Sequence, residues 1–222
     1  MASMMTVRGL RGMIQGGVSP KDYSAVTGVG IQDARKILDR LEQSRIGRSV
    51  GDTYHFEQGD RLRAAIMMLE NGTASLDEVA GEMDWRDFEG LAGEILASRN
   101  FAVMKNLRFK KPAVEIDVVG IRMGVAMLVD CKHWRRTAPS AVSDAVSKQI
   151  ERTRRYVAET PGAVAAPVIV TLHQHETEFV GNVPIVPIAG FSSFVDEFHG
   201  HLDRMRTIMG GDGAPPAGAA HT

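Results

Sequence analysis

Two hydrophobic periodicities divide this chain. Between residues 101 and 132 the apolar side chains come in short runs and alternations, and the sequence predicts strands at 101–109, 114–121 and 125–132. Helical spacing brackets them. Phe88, Leu91, Ala92, Ile95 and Leu96 form one stripe in a helix expected over 84–98. Val142, Val146, Gln149, Thr153 and Tyr156 form another in a helix over 141–158. Strands are expected again at 167–172 and 183–188, and Phe191, Phe194, Val195, Phe198, Leu202 and Met205 mark a last helix over 191–209. Helix, three strands, helix, two strands, helix predicts an α/β domain, a mixed sheet flanked by helices.

The N-terminal part is mainly helical. Ser19-Pro20-Lys21-Asp22 is a helix start, Gly28-Val29-Gly30 a turn, and a second helix follows over 31–44 with Ile31, Ala34, Leu38 and Leu41 on one face. Residues 50–56 read as a hairpin around a Gly-Asp turn, and a helix over 62–69 closes at Asn71-Gly72. This order resembles a winged helix-turn-helix module over residues 7–71. The resemblance implies a helix in the DNA major groove presenting Arg35, Lys36 and Arg40, with Arg45 and Arg48 leading into the hairpin. The first 82 residues carry 10 basic and 11 acidic groups, so a protein-contacting or purely structural wing stays open. A short helix over 75–83, with Ser75 and Glu78 at capping-box spacing, is expected as a connector. The expected division is 1–74, winged-helix-like domain; 75–83, connector; 84–209, α/β domain; and 210–222, a disordered tail rich in Gly, Ala and Pro.

Composition sets bounds. The 222 residues are 44% hydrophobic, enough to bury a sizeable core, and the net charge of −1 carries no overall nucleic-acid or membrane signal. No run reaches the roughly 18 apolar residues of a membrane span, and residues 1–17 hold no continuous apolar core of a secretory signal. One cysteine, Cys131, excludes an intrachain disulfide and fits a reducing compartment. The expectation is a cytoplasmic protein without a membrane partner. Charge is nonetheless uneven: Arg99 to Arg155 holds 13 basic against 5 acidic residues, a difference of +8, whereas Tyr156 onward holds 2 against 7. Such a field suits a polyanion, although a solvated charged face reads the same way.

The candidate chemistry sits at the ends of the central strands. Asp117 and Asp130 each close an apolar run, where a carboxylate is costly unless a counter-charge offsets it. Alternation sets Asp130 and Lys132 on one face and turns Cys131 toward the core. Asp117 meets Asp130 if the two strands pair around Arg122-Met123-Gly124. Two carboxylates are hard ligands suited to Mg2+ or Mn2+; a simple Asp130–Lys132 ion pair is the plainer alternative. Glu115 is either a satellite ligand or solvated. Gln149, on an apolar stripe, needs a buried partner, either at the site or on the backbone.

In order, Glu89 on a helix, Asp117 at a strand end, Asp130-Cys131-Lys132 on the next strand and Gln149 on the following helix resemble the PD-(D/E)XK nuclease superfamily, and within it the Mrr-type restriction endonucleases and archaeal Holliday-junction resolvases. The resemblance covers residues 84–188 and departs from the pattern in lacking a proline before Asp117 and in having Asp rather than Glu before x-Lys. It implies a restriction-endonuclease-like core and a metal-dependent DNA endonuclease. Asp117, Asp130 and Glu89 would bind Mg2+ or Mn2+, Lys132 would assist the attacking water, and Gln149 would complete the catalytic set. Lys148, Arg152, Arg154 and Arg155 are candidates for holding the phosphate backbone. The DNA is duplex, branched or modified, and cutting both strands would suggest a homodimer, for which the Phe191, Phe194 and Phe198 face is one candidate and core packing the other reading. The competing function is a non-catalytic DNA-binding or regulatory protein on the same fold. His173-x-His175 and His199-x-His201 lack zinc-site company. His133 and Trp134 adjoin Lys132, and Trp134 either stacks on a base or packs in the core.

Overall fold

The computed structural model describes residues 5–57, 59–110, 113–132, 134, 138–172 and 177–210. The expected tail beyond 210, together with His133, His173 and His175, lies outside them. The chain divides into two compact units, Met1–Leu91 and Ala92–Thr222.

In the first unit, α1 (Gly9–Gly12) and β1 (Gly16–Val18) lead to α2 (Pro20–Thr27), α3 (Ile31–Gln43), β2 (Arg48–Val50), β3 (Thr53–Phe56), α4 (Asp60–Glu70) and α5 (Leu76–Gly81). Helix α2 starts where Ser19 and Asp22 form a reciprocal capping box and stops at Gly28, whose φ of 76° is left-handed. The amphipathic α3 buries Ala34, Ile37, Leu38 and Leu41 and turns its basic side chains to solvent. The expected hairpin gains a third strand, giving the order β1-β3-β2; three residues of β1 are too few to carry a period. Segment 75–83, expected as a connector, belongs to this unit. It buries Val79, Ala80 and Met83 and ties Glu82 to Arg11 by an ion pair, so it packs as an element of the unit. The division likewise falls inside α6 (Trp85–Ser98), beyond the start of that helix at which it was expected.

The second unit holds the rest of α6, then β4 (Ala102–Lys110), β5 (Ala113–Arg122), β6 (Val125–Lys132), α7 (Pro139–Glu159), β7 (Val164–Thr171), β8 (Glu178–Val180), β9 (Val183–Pro187), α8 (Ile188–Asp196), α9 (Phe198–His201) and β10 (Ile208–Met209). The mixed sheet runs β4-β5-β6-β7-β9-β8, with β10 against the start of β7. Strands β4, β5 and β6 are antiparallel neighbours, and β6, β7 and β9 are parallel. This is the α/β layering expected. Strand β6 is buried nearly throughout, its Ala126 and Leu128 packing with Ile150 and Tyr156 of α7. At Gly120 an added Cβ would lie 3.0 Å from the Leu96 side chain, so α6 packs close over β5 and a larger residue there would have to displace Leu96. Pro167 lies mid-strand in β7 and has no N–H to give. It falls between the stretch paired with β10 (164–165) and that paired with β9 (169–171). Strand β4 ends the ladder among the described residues; its Lys105 and Arg108 pair with Glu94 and Glu115.

One expected element is corrected. The helix over 191–209 breaks into α8 and α9, and Ile208 and Met209 cross to pair with Ala165 and Val164 of β7. The apolar spacing that suggested a continuous helix is satisfied by two helical pieces and a strand. No helix among the described residues is long and apolar enough to cross a membrane.

Candidate metal centre at a strand fork

Strands β5 and β6 pair from Arg122↔Val125 to Val118↔Val129 and stop there. One step further the same register sets Asp117 opposite Asp130. On the other side of β6, pairing with β7 continues to Lys132↔Thr171. The sheet therefore forks at the two aspartates. The β4–β5 register also skips a pair at this level, between Lys105↔Val118 and Leu107↔Ile116, where Asn106 takes a left-handed φ of 54°. Beyond the last pair the amide of Cys131 donates to Asp117 Oδ2 at 2.8 Å, so a carboxylate stands where a strand carbonyl would have accepted.

The two carboxylates have different surroundings. Asp130 is 1% exposed. Arg152 of α7 donates to its Oδ1 at 2.6 Å. Lys132 Nζ straddles the group, hydrogen-bonded to Oδ1 at 2.9 Å and 2.8 Å from Oδ2 outside hydrogen-bonding alignment. Oδ2 itself is buried with no hydrogen-bond partner among the described residues. Asp117 accepts a hydrogen bond from the Cys131 amide. Burial raises its carboxyl above the ordinary value, the nearby Asp130 raises it further, and the Cys131 N–H, Lys132 and Arg152 act the other way.

Helix α7 aligns this arrangement. Gln149 Nε2 donates to the Leu128 carbonyl at 2.7 Å, and Arg152, three residues on, reaches Asp130, two residues on. Positions i and i+3 of the helix thus match alternate positions of β6. Gln149 is fully buried and its Oε1 has no partner among the described residues. Of the two partners considered for Gln149, the structure provides the backbone one. Cys131 is half-buried, not the core residue expected, because the fork opens β6 beyond Val129. Trp134 packs against the core cluster, and Glu115 pairs with Arg108 at 2.9 Å. Glu89 is buried on the part of α6 that belongs to the first unit.

The expected DNA contacts are spread over both units. Arg35 is ion-paired with Asp52, Lys36 lies 3.4 Å from Asp33, and Arg40, Arg45 and Arg48 are exposed. On α7, Lys148 is exposed, Arg154 pairs with Glu151 at 3.3 Å and Arg155 with Glu159 at 2.5 Å. His199 lies 3.2 Å from Arg122 Nη2, and His201 stacks on Phe194. The role of Arg152 as Asp130's partner was missed: an arginine on a helix ordinarily reads as solvated, and the only hint was its i+3 spacing from Gln149.

Among the described residues no three His, Cys, Asp or Glu side chains gather as a metal site. Asp117 and Asp130 nonetheless fit a hard divalent cation. Both donors are carboxylates, one has a buried oxygen that accepts no hydrogen bond from the described residues, and each is held in place by a backbone or helix contact.

No known family model matches the chain. An uncharacterized protein of Archaeoglobus fulgidus is 31% identical over 124 residues, which are 54% of this chain and 95% of that one. Among solved structures, protein VC1899 from Vibrio cholerae gives a TM-score of 0.42 at 11% identity. That match covers 89% of this chain, which spans 49% of VC1899, and the likeness is too loose to bear on fold or function.

Proposed function

We propose that this chain, which belongs to the same family as the uncharacterized Archaeoglobus fulgidus protein, is a metal-dependent DNA endonuclease with a restriction-endonuclease-like core and a winged-helix targeting module. The observation that carries this reading is the fork: β5 leaves β6 where Asp117 and Asp130 face each other, with Lys132 on Asp130. Asp117 and Asp130 would hold Mg2+ or Mn2+, which when bound supplies Lewis-acid activation at the scissile phosphate. Lys132, held at Asp130 and 28% exposed, orients the attacking water and lends positive charge to the phosphate as negative charge grows there. The Cys131 amide fixes the Asp117 carboxylate, and Arg152 fixes that of Asp130. In the first unit, the order β1-β3-β2 and the exposed Arg40 and Arg48 on α3 and β2 support the winged-helix reading.

A second reading, a DNA-binding protein without catalysis, is favoured by one observation: Lys132 and Arg152 already neutralise Asp130. The test that separates them incubates the full chain with plasmid, branched and single-stranded DNA in Mg2+ or Mn2+. Cleavage is expected, slowed about a thousandfold or more by Asp130→Ala. Cleavage at full rate in that variant would exclude the mechanism; DNA bound but left intact by the unaltered chain would favour the second reading.

A further inference from the structure

Asp130 carries more positive charge than one carboxylate needs. Lys132 and Arg152 both lie within 3 Å of it, and Arg152 makes the shorter contact, 2.6 Å. A divalent cation arriving at Asp130 and Asp117 would meet both, and like charges held together in a buried site repel strongly. Something must leave. Lys132 is two residues from Asp130 on the same strand, so its backbone is tethered beside that carboxylate. Arg152 comes from another element, where no strand tethers it to Asp130, and its side chain, as exposed as that of Lys132, has an outlet to solvent. It also has somewhere to go: Lys148 and Arg152 lie four residues apart on one face of α7, Lys148 is exposed, and a guanidinium takes a phosphate in the same forked geometry as a carboxylate.

We infer that Arg152 is an exchangeable counter-ion: it holds Asp130 in the metal-free protein, yields it to the divalent cation, and passes to a phosphate of bound DNA. Metal loading and DNA binding are then coupled, because each helps to free or to receive the same side chain. The inference rests on the nuclease reading and adds to it the order of events at the site. It also accounts for the neutralised Asp130, which otherwise argues for an inert site.

The test is calorimetric titration of MnCl2 into the full chain without DNA. Arg152→Gln, which removes the competing charge, is expected to bind Mn2+ at least about tenfold more tightly than the unaltered chain. Arg152→Lys, which keeps it, should stay close to the unaltered chain. A merely structural arginine would give the opposite, since its loss disorders Asp130 and weakens binding. Equal or weaker binding by Arg152→Gln overturns the inference, as does an Arg152→Lys variant that matches it. A second measurement needs no variant: Mn2+ affinity of the unaltered chain should rise when a non-cleavable phosphorothioate duplex is present, and no rise overturns the coupling. Asp130→Ala separates the two levels. If it abolishes Mn2+ binding while Arg152→Gln leaves affinity unchanged, the counter-ion role alone falls. If the unaltered chain and Arg152→Gln both fail to bind Mn2+, the nuclease reading falls with it.

Discussion

The surroundings of Asp117 disfavour its charged form. Its carboxyl is raised mainly by burial, then by Asp130, so ionising it in the folded, metal-free chain costs more than in the unfolded one. A carboxyl with a raised folded pKa adds stability that is full below its ordinary value of 3.8 and is lost as pH rises through the folded value. Asp117→Asn keeps an oxygen to accept the Cys131 N–H but cannot ionise. It is expected to melt at a higher temperature than the unaltered chain at pH 7 without metal, with the advantage vanishing below pH 3.8, and to lose cleavage. Thermal melts across pH check this, and a variant less stable than the unaltered chain at pH 7 contradicts it. Both aspartates and Lys132 were legible in the sequence because an acid within an apolar run is conspicuous, although Asp117 lies in the middle of β5 and not at the strand end expected. Arg152 was not, because its contact with Asp130 joins residues on different elements and nothing local marks it.

At the scale of elements, the β4–β5 ladder loses a pair at Asn106, level with the fork. Asn106 holds a φ of 54° in an exposed, mid-strand position, where strand preference alone would favour valine. The left-handed conformation reverses that preference, since a β-branched side chain is poorly tolerated there. Asn106→Val is therefore expected to destabilise by about 1–2 kcal/mol, and Asn106→Gly by less than about 0.5 kcal/mol, in urea unfolding. Stabilisation by valine would show that the kink is not required. Strands β4, β5 and β6 were legible from their apolar runs to within a residue or two. Strands β1, β8 and β10 have two or three residues each, too short for any period, and exist because a neighbouring strand pairs with them. The end of the helical region after His201 was hidden for a related reason: Ile208 pairs with β7 although Leu202 and Met205 continue the helical spacing.

For the whole molecule the net charge of −1 conceals a basic stretch from Arg99 to Arg155. Affinity of the full chain for duplex DNA is expected to fall linearly with salt on logarithmic axes, and Lys148→Gln, which removes an exposed cation, to lower the slope by about one. Fluorescence anisotropy at several salt concentrations checks this; binding indifferent to salt would rule out a phosphate contact. The division of the chain was only partly legible, because α6 is one uninterrupted amphipathic helix and its sequence carries no mark of the boundary within it. One further consequence follows from β4. Nine residues long, it ends the sheet among the described residues with a row of backbone groups facing outward. Such an edge templates strand addition and aggregation. Lys105 and Arg108, ion-paired with Glu94 and Glu115, and Lys110 line it with charged side chains, and the left-handed backbone at Asn106 interrupts its regular extension, so a second copy arriving edge to edge meets a poor template. The interruption that lies level with the fork thus also makes this edge a poorer seed for polymerisation when the chain is crowded.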